Sequence, residues 1–310
     1  MKNPSKIFLP LILLIITFCS FKNNAIDKDV APTKQKQGVR KIVIDPGHGG
    51  ADYGASGKYS HEKDIALAVA LKLEAEIKKQ MPEVEVFLTR SSDIYDNPKI
   101  KAIKANEAKG DLFISIHCND AGGGTRHSEI VGYKTVRVKK GKKWITKKVP
   151  EYRYWTSPST AKGTETYIWG IDKNDAKLKA LQESESVNND ATMDAEFKKI
   201  EDPEQVAAIS LRMQQYAERS RGLAFSVQDE FTKVGRVNRD ARQRGVGIWV
   251  LQAVAMPAIL IELGFLSNPE EEDYLNSNDG QKELSQSIGR AVKQYKNNIE
   301  AKINLNKGSK

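Results

Sequence analysis

The sequence predicts an α/β fold: a single domain whose mostly parallel or mixed twisted sheet, of about six strands, is flanked by helices on both faces. Three observations lead there. Short apolar runs rich in β-branched residues, Lys41–Ile44, Asp111–Ile116 and Ala258–Leu263, read as buried strands. Helical spacing fills the stretches between the first of them, in Asp64–Lys79 through Ile65, Ala68, Val69, Leu73 and Ile77, and again in Asn97–Lys109, stopped by Gly110. The length and composition, 310 residues of which 39% are hydrophobic and 29% charged, suit one large globular core.

Taken in order, the first strand ends sharply at Asp45-Pro46-Gly47, because proline cannot donate to a ladder and glycine permits turn dihedrals. His48 is thereby held at the C-terminal edge of a strand, where open α/β sheets bind ligands. His61 and Glu62 stand at the entrance of the first helix. Glu83–Thr89 alternates as a strand closing with Arg90, and Asp111–Ile116 delivers His117 at its own C-terminal end. Gly122–Lys162 breaks this rhythm. Within it, Lys134–Val149 reads as a hairpin turning at Gly141, with eight Lys or Arg residues and no acidic residue. Two readings stand for it: a solvated insertion, or a surface that grips an anionic polymer. Thr164–Trp169 resumes the core as a strand, Asp172–Glu185 and Pro203–Thr232 read as helices, and Ser186–Asp202 shows no period. Gly247–Leu251 and Ala258–Leu263 read as the last strands, Gln281–Lys302 as a final helix, and residues 303–310 as a polar tail.

The N-terminus reads as an export signal over residues 1–22, since Lys2 and Lys6 precede the apolar run Ile7–Phe18, broken by Pro10. A polar, Lys-rich linker follows over 23–38. Phe18 precedes Cys19 where lipoprotein signals carry a small residue, so lipidation at Cys19 competes with cleavage near Ser20 or Ala25. Either outcome places the mature chain in the periplasm or cell envelope, with membrane contact only through an N-terminal lipid anchor. The formal charge of +9 suits an anionic partner, but no nucleic-acid-binding motif is present, so nucleic acid is not expected. Cys19 and Cys118 are the two cysteines, which excludes a disulfide framework.

His48, Glu62 and His117 are candidate ligands of zinc type, which would leave a fourth position for water. Zinc lowers the pKa of bound water towards about 7. Glu262, a carboxylate inside the apolar run Ala258–Leu263, is costly there unless paired or metal-linked, and as a base it could shuttle a proton from water to a leaving amine. The separations of 14 and 55 residues match no short motif, so other readings stay open on the residues alone. His48 could sit in a phosphate-holding turn, Glu62 could stabilise a helix N-terminus, and His117 could be a core histidine. His61 and His127 read as surface residues.

Six segments carry a family resemblance: IDPGHGG at Ile44–Gly50, HEKD at His61–Asp64, FLTR at Phe87–Arg90, SIHCND at Ser115–Asp120, GTETY at Gly163–Tyr167 and PAILIELGFLSNPEEE at Pro257–Glu272. In this order they resemble a zinc-dependent N-acetylmuramoyl-L-alanine amidase of the periplasmic cell-division type, over about 39–302. The resemblance implies one zinc ion on His48, Glu62 and His117, with Glu262 as catalytic glutamate. It implies peptidoglycan as substrate, cleavage between the lactyl group of N-acetylmuramic acid and L-alanine, and a part in cell-wall remodelling and daughter-cell separation. Cys118 stands where relatives often have alanine and is a further soft donor, although it should face the other side of its strand. The insertion at about 122–162 lies outside the minimal family core. That at about 173–205 resembles the region where regulated members carry a helix that blocks the zinc until a protein activator displaces it, with Glu183, Glu185, Glu201 or Glu204 as the blocking carboxylate. The rival functions are a zinc peptidase acting within the stem peptide and a catalytically silent peptidoglycan-binding regulator.

Overall fold

The computed structural model describes residues 38–170, 177, 180, 181, 203–243 and 248–308. The export signal, Cys19 and nearly all of the linker lie outside the described residues, as does most of the insertion at 173–205. Eight strands are present among the described residues: β1 (Lys41–Pro46), β2 (Glu85–Leu88), β3 (Leu112–Asn119), β4 (Arg126–Lys140), β5 (Lys143–Thr156), β6 (Thr164–Ile168), β7 (Asn238–Gln243) and β8 (Ala258–Phe265). Six form one sheet in the order β2-β1-β3-β8-β6-β7, while β4 and β5 pair as a separate ribbon. Strands β2, β1, β3 and β8 run parallel; β6 is antiparallel to β8, and β7 is parallel to β6.

Successive side chains on a strand point to opposite faces, and here both faces are covered. Ile42, Ile44, Leu112, Ile114, Ile116, Ile259 and Ile261 pack with α1 (Glu62–Gln80) and α6 (Asn278–Gly308). Val43, Phe113, Ala258 and Leu260 pack on the other side with α2 (Pro98–Glu107) and α4 (Trp249–Ala253). Burial on both faces is why these strands read as unbroken apolar runs. The helix α3 (Pro203–Lys233) serves both layers, sending Ile209, Met213 and Ala217 to the second and Leu223, Val227 and Phe231 to the first.

Two readings are corrected, and one strand appears that the sequence did not signal. Ile248–Leu251 belongs to no strand, because Trp249–Ala253 is a short helix. Its apolar run is too short for periodicity to decide, and the deciding contact comes from far away in the chain. The buried Lys177 ammonium donates to the carbonyls of Leu251, Val254 and Met256 at 3.1, 2.6 and 3.0 Å, capping the helix end. The polar tail is not a tail: α6 continues to Gly308. Strand β7, NRDARQ, carries no apolar alternation, and it sits at the sheet edge where polar residues face water. The helix α5 (Pro269–Asn276) begins as its sequence requires, with the Asn268 side chain accepting from the Glu270 amide at 3.0 Å and proline in the first turn.

Helix α5 also fixes the loop that leads into α1. The buried Glu272 carboxylate accepts from the amides of Lys58, Tyr59 and Ser60 at 2.9, 2.9 and 3.0 Å, and from the Ser60 hydroxyl at 2.8 Å. Burial alone would raise its pKa, but these donors outweigh burial and hold the carboxyl below its usual range. A lowered folded pKa contributes stability above the unfolded value and loses it as pH falls through the folded one. Glu272→Ala is therefore expected to cost about 2–3 kcal/mol in urea unfolding at pH 7, since it strands several buried donors. Glu272→Gln is expected to flatten the loss of stability that the parent chain shows as pH drops below 4.5.

Candidate metal centre

The turn after β1 is built from the backbone outward. His48 adopts φ 56, in the left-handed region that non-glycine residues rarely enter. Arg90, itself buried, holds the turn by donating to the carbonyls of Pro46 and Gly47 at 3.1 and 2.7 Å, and to that of Lys63 at 2.8 Å. Beneath it, the buried pair Asp45 and Lys101 lies at 3.1 Å, with Thr89 and Ser115 hydroxyls donating to the same carboxylate at 2.6 and 2.8 Å. Gly47 and Gly54 leave the room the site needs. A Cβ on Gly47 would come within 2.5 Å of the His117 ring, and one on Gly54, at φ +67, within 2.4 Å of the Glu62 carboxylate.

These elements bring together the three side chains singled out from the sequence. Glu62 is the first residue of α1, and its carboxylate lies between the two imidazoles. His48 Nε2 is 3.1 Å from Oε2, and His117 Nδ1 is 2.7 Å from Oε1. The amides of Ala55 and Cys118 donate to the same two oxygens, at 2.7 and 3.0 Å. Asp52 engages the other ring nitrogen of His48 at 2.8 Å, which aims Nε2 into the site. Burial would lower the His48 pKa, but the hydrogen bonds and charges of Glu62 and Asp52 outweigh it and raise it to about 9. Burial would likewise raise Glu62, yet both histidines hold its carboxyl well below the usual carboxylate range.

One donor atom from each of His48, Glu62 and His117 lies within 4.8 Å of the others. Two imidazole nitrogens and a carboxylate oxygen form the donor set that catalytic zinc accepts while keeping a fourth position open, so the residues present fit that ion. Sheet register supplies the fourth residue. Glu262 on β8 is the direct neighbour of His117 on β3, so both side chains stand on one face, and Glu262 is buried. The four line a cleft of about 560 Å³, walled also by Asp120 and Trp249.

Among the described residues, the remaining candidates stay out of the centre, Cys118 and the two further histidines as expected. Cys118 points to the opposite face, into the layer under α1, where burial pushes its thiol pKa up and removes it from the donor set. Glu183, Glu185 and Glu201 lie outside the described residues. Glu204 sits exposed in the first turn of α3 and does not line the cleft. His61 hydrogen-bonds Ser56, and His127 stacks on Trp155, both away from the centre. Three supports escaped the sequence reading: Asp52, Lys101, and the pair formed by Glu165 and Arg239 at 2.6 Å. Glu165 is the register neighbour of Glu262 on β6 and also accepts from the Asn119 amide at 3.1 Å. Asp52 had a local signal, four residues after His48; the others are joined only by the fold.

Comparison with known proteins agrees with this geometry. Residues 42–294 match the family model described as N-acetylmuramoyl-L-alanine amidase. The chain is 28% identical over 260 residues to the N-acetylmuramoyl-L-alanine amidase AmiC of Escherichia coli, covering 82% of this chain and 52% of that one. It is 28% identical over 270 residues to the AmiC of Neisseria meningitidis, covering 86% and 55%. It thus spans about half the length of these curated relatives. The solved N-acetylmuramoyl-L-alanine amidase of Clostridium difficile superposes with a TM-score of 0.53 at 26% identity, covering 83% of this chain and 97% of that one. Since the family match runs from β1 into α6 and so takes in His48, Glu62, His117 and Glu262, the chain belongs to the N-acetylmuramoyl-L-alanine amidase family.

Proposed function

We propose that this chain is an exported, zinc-dependent amidase that hydrolyses the bond between the lactyl group of N-acetylmuramic acid and the L-alanine of the peptidoglycan stem peptide. The observation that carries the reading is the meeting of His48, Glu62 and His117 within 4.8 Å, with Glu262 beside His117 in register. Zinc, when bound, would polarise the carbonyl and acidify water. Glu262 then takes the proton of the attacking water and returns it to the departing nitrogen as the carbon–nitrogen bond breaks, leaving a lactyl carboxylate and a peptide with a new amine. Asp52 keeps the His48 ring aimed, and Arg90 keeps the turn from collapsing. Remodelling of the wall at cell separation is the role that follows. Control through the 173–205 insertion, relieved by a partner protein, belongs to the same reading.

Purified peptidoglycan treated with the chain and zinc is expected to release intact stem peptides that begin with a free L-alanine amine, read by mass spectrometry. Chelation should abolish release, and His117→Ala should lose the equivalent of zinc that the parent retains after desalting. Glu262→Ala should keep its zinc and lose on the order of 10²–10⁴-fold in rate. Shortened peptides would instead identify a stem-peptide peptidase, and binding without products a silent wall protein only if the chain lacking the insertion also releases none. Deleting residues 182–202, which spares the Lys177 cap on α4, is expected to raise the rate; an unchanged rate would reject control through that insertion.

A further inference from the structure

The ribbon of β4 and β5 belongs to neither core. Every residue from Arg126 to Thr156 is exposed or half-buried. Yet the ribbon displays large rings to water: Tyr133 is 67% exposed, Trp144 60%, Tyr154 58% and Tyr152 45%. A two-stranded ribbon that covers no core gains little for folding from such rings, so their exposure calls for a function.

Register sorts its side chains by face, because directly opposed residues share a face and successive ones alternate. The pairs Lys139 with Trp144, Arg137 with Thr146, Thr135 with Lys148 and Tyr133 with Pro150 fall on one face. Beyond the bulge between Ile130 and Gly132, the same face continues with Ile130 and Tyr152, Ser128 and Tyr154, and Arg126 and Thr156. Contacts agree with this sorting: the Arg137 guanidinium lies 5.9 Å from the Trp144 ring, Arg126 lies 5.0 Å from Tyr154, and the Tyr152 and Tyr154 rings are 6.0 Å apart. One face therefore carries all four of those rings and four cations, Arg126, Arg137, Lys139 and Lys148. Both carboxylates of the ribbon, Glu129 and Glu151, lie on the opposite face, Glu129 paired with Arg153 at 3.2 Å. That opposite face has its own four lysines, Lys134, Lys140, Lys143 and Lys147, set around aliphatic Val136, Val138, Ile145 and Val149, and one exposed large ring, Trp155, which is stacked on His127 at the root.

From Trp144 to Tyr154 the rings span roughly 33 Å at about 3.3 Å per residue, the reach of an extended polymer rather than a compact ligand. Flat rings offer stacking surfaces for the C–H faces of sugars, and interleaved cations on a face without carboxylates attract carboxylates on the same strand. A bilayer surface would favour aliphatic side chains beside the rings and at the tip. Instead the tip is Lys139-Lys140-Gly141-Lys142-Lys143, and most aliphatics face the other way. The ribbon also leaves the sheet at the cleft: β4 follows the end of β3, which carries His117, and β5 leads back to β6, beside Glu262. Its root is tied there by the Ala121 amide donating to the Ser267 hydroxyl at 3.0 Å.

We propose that the ring-bearing face of the β4–β5 ribbon is a docking surface for an extended, carboxylate-bearing glycan strand, which it holds at the mouth of the cleft. The identity of that strand as peptidoglycan rests on the amidase reading. The test is co-sedimentation of the full chain carrying Glu262→Ala, so that the polymer is not consumed, with insoluble peptidoglycan stripped of attached proteins and polymers. Serine at Arg126, Arg137, Lys139 and Lys148 is expected to weaken binding by about tenfold or more, from several exposed charge contacts acting together. Alanine at Tyr133, Trp144, Tyr152 and Tyr154 is expected to do the same. Serine at Lys134, Lys140, Lys143 and Lys147 removes equal charge from the opposite face and should cost less than about threefold. Circular dichroism checks that each variant folds, and the charge variant decides if the ring variant does not.

Equal losses from the two faces, or no loss from either, overturn the proposal. So does binding to phosphatidylglycerol vesicles that needs the ring-bearing face while peptidoglycan binding does not. The readout involves no turnover. A chain with Glu262 that sediments but releases no peptide, even without residues 182–202 of the insertion, overturns the amidase reading and leaves the docking surface; one that releases peptides while the ring-face variants sediment unchanged overturns the docking surface alone.

Discussion

The buried carboxylate of Glu62 is the interaction on which the site depends. A carboxylate taken out of water is costly unless its oxygens are fully engaged. Here two imidazoles and two backbone amides engage it, drawn from the turn after β1, the loop before α1 and the end of β3. One charge thus ties the turn and loop between β1 and α1 to the end of β3, 55 residues further along the chain. The same oxygens that hold them are donors suited to zinc, so the fold's local electrostatics and the site's chemistry are one arrangement. Layers of support stand behind it, from Arg90 on the carbonyls of the turn to Asp45 and Lys101 below, and each uses a buried charge that is fully partnered.

Placement of Glu262 is a matter of sheet register rather than of loops. Its neighbours across the sheet are His117 on one side and Glu165 on the other. A one-residue slip of β8 would turn Glu262 into the layer under α1 and bring Leu263 or Ile261 to the site. Burial on both faces makes such a slip expensive, because every apolar side chain of the strand would exchange layers. Rigidity of this kind suits the proton-transfer role proposed for Glu262, since a base must stand within about 2.6–3.2 Å of the group whose proton it takes. Glu165 does not compete, because Arg239, Tyr167 and Asn119 occupy its oxygens and keep it ionised. The ribbon follows the opposite logic: it projects from the cleft edge and owes its patterning to strand alternation alone.

Much of this was legible from the sequence for identifiable reasons. Strands buried on both faces leave unbroken apolar runs, and crossover helices leave a 3.6-residue period, so β1, β3, β8, α1 and α2 could be read directly. A histidine among glycines after a strand, and a glutamate inside an apolar run, are local anomalies that announce themselves. The alternation that orients Cys118 away from His117 needed no coordinates either. Residues 248–251 were misread because four apolar residues suit strand and helix equally, and because the lysine that caps the helix stands more than seventy residues earlier. Strand β7 was missed because an edge strand among polar residues has no pattern to show.

By itself, then, the sequence determined the layer architecture, the candidacy of His48, Glu62, His117 and Glu262, and the basic character of the ribbon, since each is written in residue type and pattern. Only the tertiary structure decided that Lys101 neutralises Asp45, that Glu165 is held by Arg239, and that Tyr133, Trp144, Tyr152 and Tyr154 share the ribbon face without carboxylates. Those facts depend on distances between segments separated in the chain and on pairing register. Neither is encoded in any local run of residues.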